Sequence, residues 1–231
     1  VHEARMHGAE IIPPCVNNSN ALCNIKDKTI FLGFGMIGTF EHNSITALLK
    51  ERELNGAFKD LYDFIKRVQI TIDQLRLLIR VGAFRFTGIN KKKLLWEAHM
   101  MVNPIKKDRT NELFDVKPKK YTLPKLNDSW IDDAFDEIEL LGFSLCSPLK
   151  LLKEKINIAL TAKELPNYKN KTVEIIGYLV TVKYVSTIKG ERMYFGTFLD
   201  LEGFWIDTVH FPPSVRAFPF QGPGCYRIKG K

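Results

Sequence analysis

The feature that most constrains the fold of this chain is a change of hydrophobic period near Pro166. Upstream, apolar residues recur at i, i+3, i+4 and i+7, as in Leu61, Phe64, Ile65 and Val68. Downstream, Thr172 to Val185 is dense in β-branched and aromatic residues. Side chains share a helix face at a period of about 3.6 and a strand face at a period of 2. One chain carrying both in sequence predicts an α+β multidomain architecture, helical region first and β-barrel after it.

The helical part divides at its turn formers. Asn43 or Ser44 is expected to cap a helix carrying Ile45, Leu48 and Leu49, ended by Asn55-Gly56. Asp60 caps a second helix, and Thr71-Ile72-Asp73-Gln74 reads as a capping box for a third bearing Leu75, Leu78 and Ile79. A fourth starts near Asn90 and runs to Pro104, which cannot continue it. Ahead of them, Ile11-Ile12-Pro13-Pro14 must be extended, and Thr29 to Leu32 is short and β-like.

Residues 105–127 form a basic, proline-punctuated linker in which the apolar pair Leu113-Phe114 stands out. A helix follows from Ser129 with Ile131, Phe135, Ile138 and Leu141 on one face and Asp132, Asp133, Asp136, Glu137 and Glu139 on the other. Acids near a helix start favour its dipole, and the expectation for this set is a solvated face.

In the β region, Gly177 inside the first strand predicts a bulge or bend, and Ile188-Lys189-Gly190-Glu191 a hairpin turn. Arg192 to Asp200 and Phe204 to Phe211 make two more strands, and Pro212-Pro213 stops the second of these. A long bent strand, a meander and a return strand through Cys225 to Lys229 are the opening of an OB-fold. Five strands complete that barrel, so this one is expected to be truncated.

Charge bears on partners. The net charge of +8 favours polyanions, because neutralising phosphate releases counterions. No run of about 18 apolar residues is present, so no membrane partner is expected. Cys15, Cys23, Cys146 and Cys225 form no Cys-x-x-Cys pair, and His2-Glu3 with His7 is spaced one residue too long for two zinc ligands on one helix face. The chain begins at Val1 without an initiator methionine or an apolar leader, and is expected to be a piece of a longer one.

Ordered motifs then carry a resemblance. Gly8-Ala9-Glu10-Ile11-Ile12-Pro13-Pro14-Cys15-Val16-Asn17-Asn18-Ser19, then Arg52, Gly56-Ala57-Phe58, Asp63-Phe64, Val81-Gly82-Ala83-Phe84 and Leu140-Leu141-Gly142-Phe143 resemble, in order and spacing, bacterial DNA polymerase III α subunits. Lys189-Gly190-Glu191-Arg192-Met193, Phe198-Leu199-Asp200 and Phe211-Pro212 are similar to that family's OB-fold. The resemblance implies the end of the fingers region over 1–32, tandem helix-hairpin-helix motifs over 33–104, connecting helices over 128–165 and the OB-fold over 166–231. It also implies a bacterial, cytoplasmic replication protein whose partners are primed duplex DNA, single-stranded template, the sliding clamp and other replisome subunits. The parent would be a DNA-directed DNA polymerase using Mg2+. Its metal-binding carboxylates have no counterpart set here, so no catalytic, cofactor or metal residue is expected and the fragment itself should be inactive. The alternative is a stand-alone OB-fold protein for single-stranded nucleic acid, which leaves the helical half unexplained.

The resemblance also points to contacts. A hairpin offers backbone N–H groups to phosphate, which nominates Gly82 and Ala83. The first hairpin departs from the pattern, since the usual glycine-x-glycine falls on Thr39-Phe40-Glu41 and an acid there repels phosphate. Lys91, Lys92 and Lys93 load a helix start with cations that a phosphate would relieve, although a solvated cluster fits equally. Thr110-Asn111-Glu112-Leu113-Phe114 lies where the family carries its clamp-binding peptide, with Thr110 in place of the usual glutamine. On the OB-fold, alternation groups Arg192, Tyr194 and Phe198 as the strand-binding face, with Lys183, Tyr184 and Trp205 nearby, each aromatic suiting core as well as contact.

Overall fold

The computed structural model describes residues 1–102, 129–153 and 160–231, and the chain forms two compact units, Val1–Leu145 and Cys146–Lys231. The first contains helices α1 (His2–Met6), α2 (His42–Asn55), α3 (Leu61–Arg67), α4 (Ile72–Arg80), α5 (Lys91–Val102) and α6 (Trp130–Leu141). A small sheet of β1 (Glu10–Ile12), β2 (Asn24–Lys26) and β3 (Thr29–Phe31) precedes α2, with β3 in the middle.

This unit is organised by aromatic packing at the turns. Phe58, just before α3, meets Phe64 at 4.9 Å between ring centroids, and Phe64 meets Phe84, just after α4, at 5.1 Å, both edge to face. The prolines leave 13–20 without a regular ladder, so side chains hold it. Arg52 of α2 donates to the carbonyls of Val16 and Ser19 (2.9 and 2.7 Å), and Asn17 exchanges hydrogen bonds with the backbone of Phe58. Arg67 closes the α2–α3 corner, pairing with Glu51 and Asp63 and lying 4.4 Å over the Phe58 ring.

Three helix starts form as the sequence predicts. The Asp60 carboxylate accepts from the Asp63 N–H at 2.8 Å, Ser129 caps α6, and the Asn90 side chain accepts from the N–H groups of Lys92 and Lys93. α2 does not. It begins at His42, and Ser44 is buried inside it rather than capping it. The box at Thr71 forms by half: Thr71 accepts from the Gln74 N–H, but the Gln74 side chain turns to another helix.

The second unit is a curled antiparallel sheet, a half-barrel of the OB type. Its strands are β4 (Val173–Ser186), β5 (Arg192–Leu199), β6 (Trp205–His210) and β7 (Cys225–Gly230), in the order β6-β5-β4-β7. The register shifts between Leu179 and Thr181, so the irregularity in β4 sits at Val180, near Gly177, where the sequence predicts a bulge or bend. Gly177 has a different task. A Cβ there would stand 2.8 Å from Cβ of Phe198, and one on Gly196 would stand 2.8 Å from the same ring, so two glycines make the slot that Phe198 fills. Ile175, Leu179 and Ile206 complete the core, with Leu160, Ala162 and Leu165 packed against it. A short helix, α7 (Pro212–Ala217), joins β6 to β7; Pro212-Pro213 ends a strand and also starts this helix, where its missing N–H costs nothing. Of the connecting helices expected over 128–165, α6 lies in the first unit and the turn Ala162–Tyr168 in the second.

Gly177→Ala should destabilise the second unit by about 1–3 kcal/mol through overpacking against Phe198, measured by chemical denaturation.

Candidate nucleic-acid interface

At the first hairpin, Thr39 has φ +63°, the left-handed conformation that a β-branched residue rarely adopts. Thr39 stands where the resemblance places a glycine, and the backbone keeps the glycine-like turn. Gln74, nearly buried, reaches across: its Oε1 accepts the Glu41 N–H at 2.8 Å and its Nε2 donates to the Thr39 carbonyl at 3.2 Å. The amide that opens α2 is therefore used internally. With the Glu41 charge, this argues against phosphate contact at the first hairpin.

The second hairpin needs a correction. Gly82 has φ +79° and Ala83 is fully buried. The Gly82 N–H donates to Ile79 and the Ala83 N–H to Leu78, while the Ala83 carbonyl accepts from Val16. These bonds close the end of α4 on a left-handed glycine, so neither amide is offered to phosphate. Arg85 lies over the glycine, its guanidinium 2.6 Å from where a Gly82 Cβ would be.

The lysines carry different loads. Lys91, only 14% exposed at its side chain, pairs with both Asp133 and Asp136 of α6. Lys92 reaches Asp132 at 3.0 Å, and Lys93 lies 3.9 Å from Glu97. Arg80 joins the same array, 2.7 Å from Asp136 and bonded to Glu139 at 3.1 Å. Asp132, Asp133 and Glu139 of α6 remain about half or more exposed, as a solvated face requires, but with the more buried Asp136 they also reach cations of α4 and α5. The Glu139 hydrogen bond leads in raising the Arg80 pKa, and Arg80 in turn holds the Glu139 carboxyl below its ordinary value. Burial works to lower the Lys91 pKa but is outweighed by its bonds to Asp133 and Asp136, which raise it. Burial pushes the Glu137 carboxyl up, against the N–H it accepts from Leu145. A cavity of about 220 Å³ lies among Gly82, Arg85, Lys91, Asp133 and Glu137.

On the half-barrel, the two sides of β5 separate as alternation predicts, but the side expected to bind faces inward. Phe198 is fully buried, and Tyr194 packs on Phe220 and Tyr184, with ring centroids 6.0 and 4.7 Å away. Phe198 therefore cannot stack on a base. Tyr184, at the end of β4, remains 65% exposed, and Arg192 is exposed beside the hairpin turn. The outward rows are Lys183–Phe195–Val209, Thr181–Thr197–Asp207 and Leu199–Trp205. Phe195 is 39% and Trp205 43% exposed there. Alternation does not single out Phe195, because periodicity separates two faces without naming the inner one; the glycines at 177 and 196, which admit Phe198, carry that signal. Thr110 to Phe114 lie outside the described residues. Among the described residues, no group of three or more His, Cys, Asp or Glu is placed to hold a metal ion, and no helix is long and apolar enough to cross a membrane.

A helical unit with two hairpins and an OB-like half-barrel define a chain built from a helix-hairpin-helix region and an OB-type module. A family model described as a helix-hairpin-helix motif matches residues 8–94. The DNA polymerase III subunit alpha of Staphylococcus aureus strain MRSA252 is 29% identical over 226 residues, covering 94% of this chain. That of Staphylococcus epidermidis strain ATCC 12228 is 27% identical over the same share. Similarity to DNA polymerase III subunit alpha thus runs along nearly the whole chain, which spans 21% of the length of these relatives.

Gln74→Leu should cost about 1–3 kcal/mol, because it strands the Glu41 N–H and the Thr39 carbonyl; thermal denaturation of the chain measures it.

Proposed function

We propose that this chain is a DNA-handling part of a DNA polymerase III α subunit in chromosomal replication, with its helical unit on duplex DNA and its half-barrel on single-stranded template. The observation that carries the reading is the similarity to those subunits along 94% of the chain, joined to the helix-hairpin-helix match over residues 8–94. Polymerisation and its Mg2+ belong, in this reading, to the remainder of a longer bacterial, cytoplasmic protein, and these residues bind without catalysing.

The exposed cations and aromatics support it. Lys92 and Lys93, 41% and 49% exposed at their side chains, mark the duplex side. Phosphate contact there positions the duplex without reading its sequence. Phe195 and Trp205 offer rings on the outward side of β5 and β6, with Lys183 beside Phe195, the combination of stacking and charge that holds single strands. Asp207, bonded to the Thr197 hydroxyl at 2.8 Å, sits between them and would keep the backbone to the Lys183 side. Clamp binding by Thr110 to Phe114 rests on sequence resemblance alone: Leu113 and Phe114 would fill an apolar pocket of the clamp, and other replisome subunits would join through the longer protein.

Three outcomes check this. Phe195→Ala and Trp205→Ala should each weaken binding of a single-stranded oligonucleotide by about 1–3 kcal/mol in fluorescence anisotropy, and unchanged affinity in both sinks the stacking face. Lys92→Ala/Lys93→Ala should weaken duplex binding and flatten its salt dependence, with about one unit less in log–log slope for each phosphate no longer neutralised. Leu113→Ala/Phe114→Ala should abolish capture on immobilised sliding clamp, and retained capture refutes that part.

A further inference from the structure

α6 is attached to its unit in two different ways. At its C-terminal end Leu140 and Leu141 are buried in the core, and the Leu140 carbonyl accepts the Gly38 N–H at 2.7 Å. Toward the N-terminus only Ala134 is buried, while Trp130, Ile131 and Phe135 are exposed. What holds the helix ahead of the Leu140-Leu141 anchor is charge: Asp132 on Lys92, Asp133 on Lys91, Asp136 on Lys91 and Arg80, Glu139 on Arg80.

The cations around the second hairpin come from three elements. Arg80 ends α4, Arg85 lies over Gly82 in the following 3₁₀ turn, and Lys91 begins α5. Arg85 donates to the Val81 carbonyl and lines the same cavity as Glu137 and Asp133. A lysine in the first turn of a helix, as Lys91 is, opposes the helix dipole, and that cost is relieved by a nearby anion. Here carboxylates of the same chain supply it, beside a cavity that Gly82, Arg85 and Lys91 line together with Asp133 and Glu137.

We propose that α6 is a built-in competitor for nucleic-acid phosphate: Asp133, Asp136 and Glu139 occupy the cationic face formed by Arg80 and Lys91, and a DNA backbone displaces them. This rests on the reading of the helical unit as duplex-binding. The pairs that Asp133 and Glu139 make are partly exposed and individually weak, while the more buried Lys91–Asp136 pair needs a replacement anion, which a backbone bearing many phosphates supplies with release of its counterions. The anchored Leu140-Leu141 end keeps the displaced helix tethered. The hairpin would then engage DNA through side chains uncovered on α4 and α5, its backbone amides being already used.

The test compares the intact chain with Asp133→Asn/Asp136→Asn for binding of a fluorescent duplex of about 20 base pairs across a salt series. Folded variant protein is expected to bind about tenfold more tightly at low salt, with a log–log slope steeper by about one for each cation freed. Equal or weaker binding overturns the proposal. Should the double variant not fold, amide hydrogen exchange in the wild type decides: exchange at 133–139 is expected to quicken when duplex is saturating, and unchanged or slower exchange overturns it. The duplex-binding reading fails separately. If neither wild type nor folded variant binds duplex at any salt, both fall; if Lys92→Ala/Lys93→Ala weakens binding while the α6 variant leaves it unchanged, only the competitor falls.

Discussion

The first unit depends on the burial of Phe64 between Phe58 and Phe84. The three rings belong to the approach to α3, to α3 itself and to the turn after α4, so this apolar packing fixes all three. Edge-to-face aromatic pairs add about 0.5–1.5 kcal/mol beyond the area they bury, and they also restrict the angle at which the segments meet. Arg67 covers the outer side of Phe58, and Asn17 binds its backbone, so the proline-rich segment inherits its position from the same ring.

Around that core, polar groups that an interface would use are spent on internal needs. The amides of Gly82 and Ala83 terminate α4, and the Glu41 amide is met by Gln74. Buried donors left unpaired are expensive, and a fold whose helices are this short has many helix ends to satisfy. The hairpins thus persist as architecture, including a left-handed Thr39 where glycine would be easier, while charge outside the hairpin backbone is what remains for a ligand. Arg80, Lys91 and α6 extend the same logic to side chains, since a cation without a carboxylate would be left half-buried and unpaired.

In the half-barrel the governing constraint is volume. Phe198 enters the core only because Gly177 and Gly196 lack side chains beside it, and this choice of inner face sends Phe195 and Trp205 outward. Asp200 then fixes the corner after β5, accepting the N–H groups of Glu202, Phe204 and Ala162, which brings the turn Ala162–Tyr168 onto the barrel. Phe220, from the connection after α7, packs against Tyr194, Phe198, His210 and Tyr226 and fills the concave side.

Whatever depends on neighbours along the chain was legible in the residues alone. Helical periodicity, the Asp60, Asn90 and Ser129 caps, the hairpin turn at Gly190 and the order of α and β regions all act over a few residues. The ordered motifs also carried the family likeness. Features that depend on a partner distant in sequence emerged only with the tertiary fold. Gln74 caps the start of α2 instead of its own helix, Ala83 turns inward, and Phe198 takes the core side of a strand whose two faces alternate identically. Most of all, Lys91 and Asp136 read as two separate solvated charges until the fold sets them together, because no local pattern records which opposite charge a long side chain will reach.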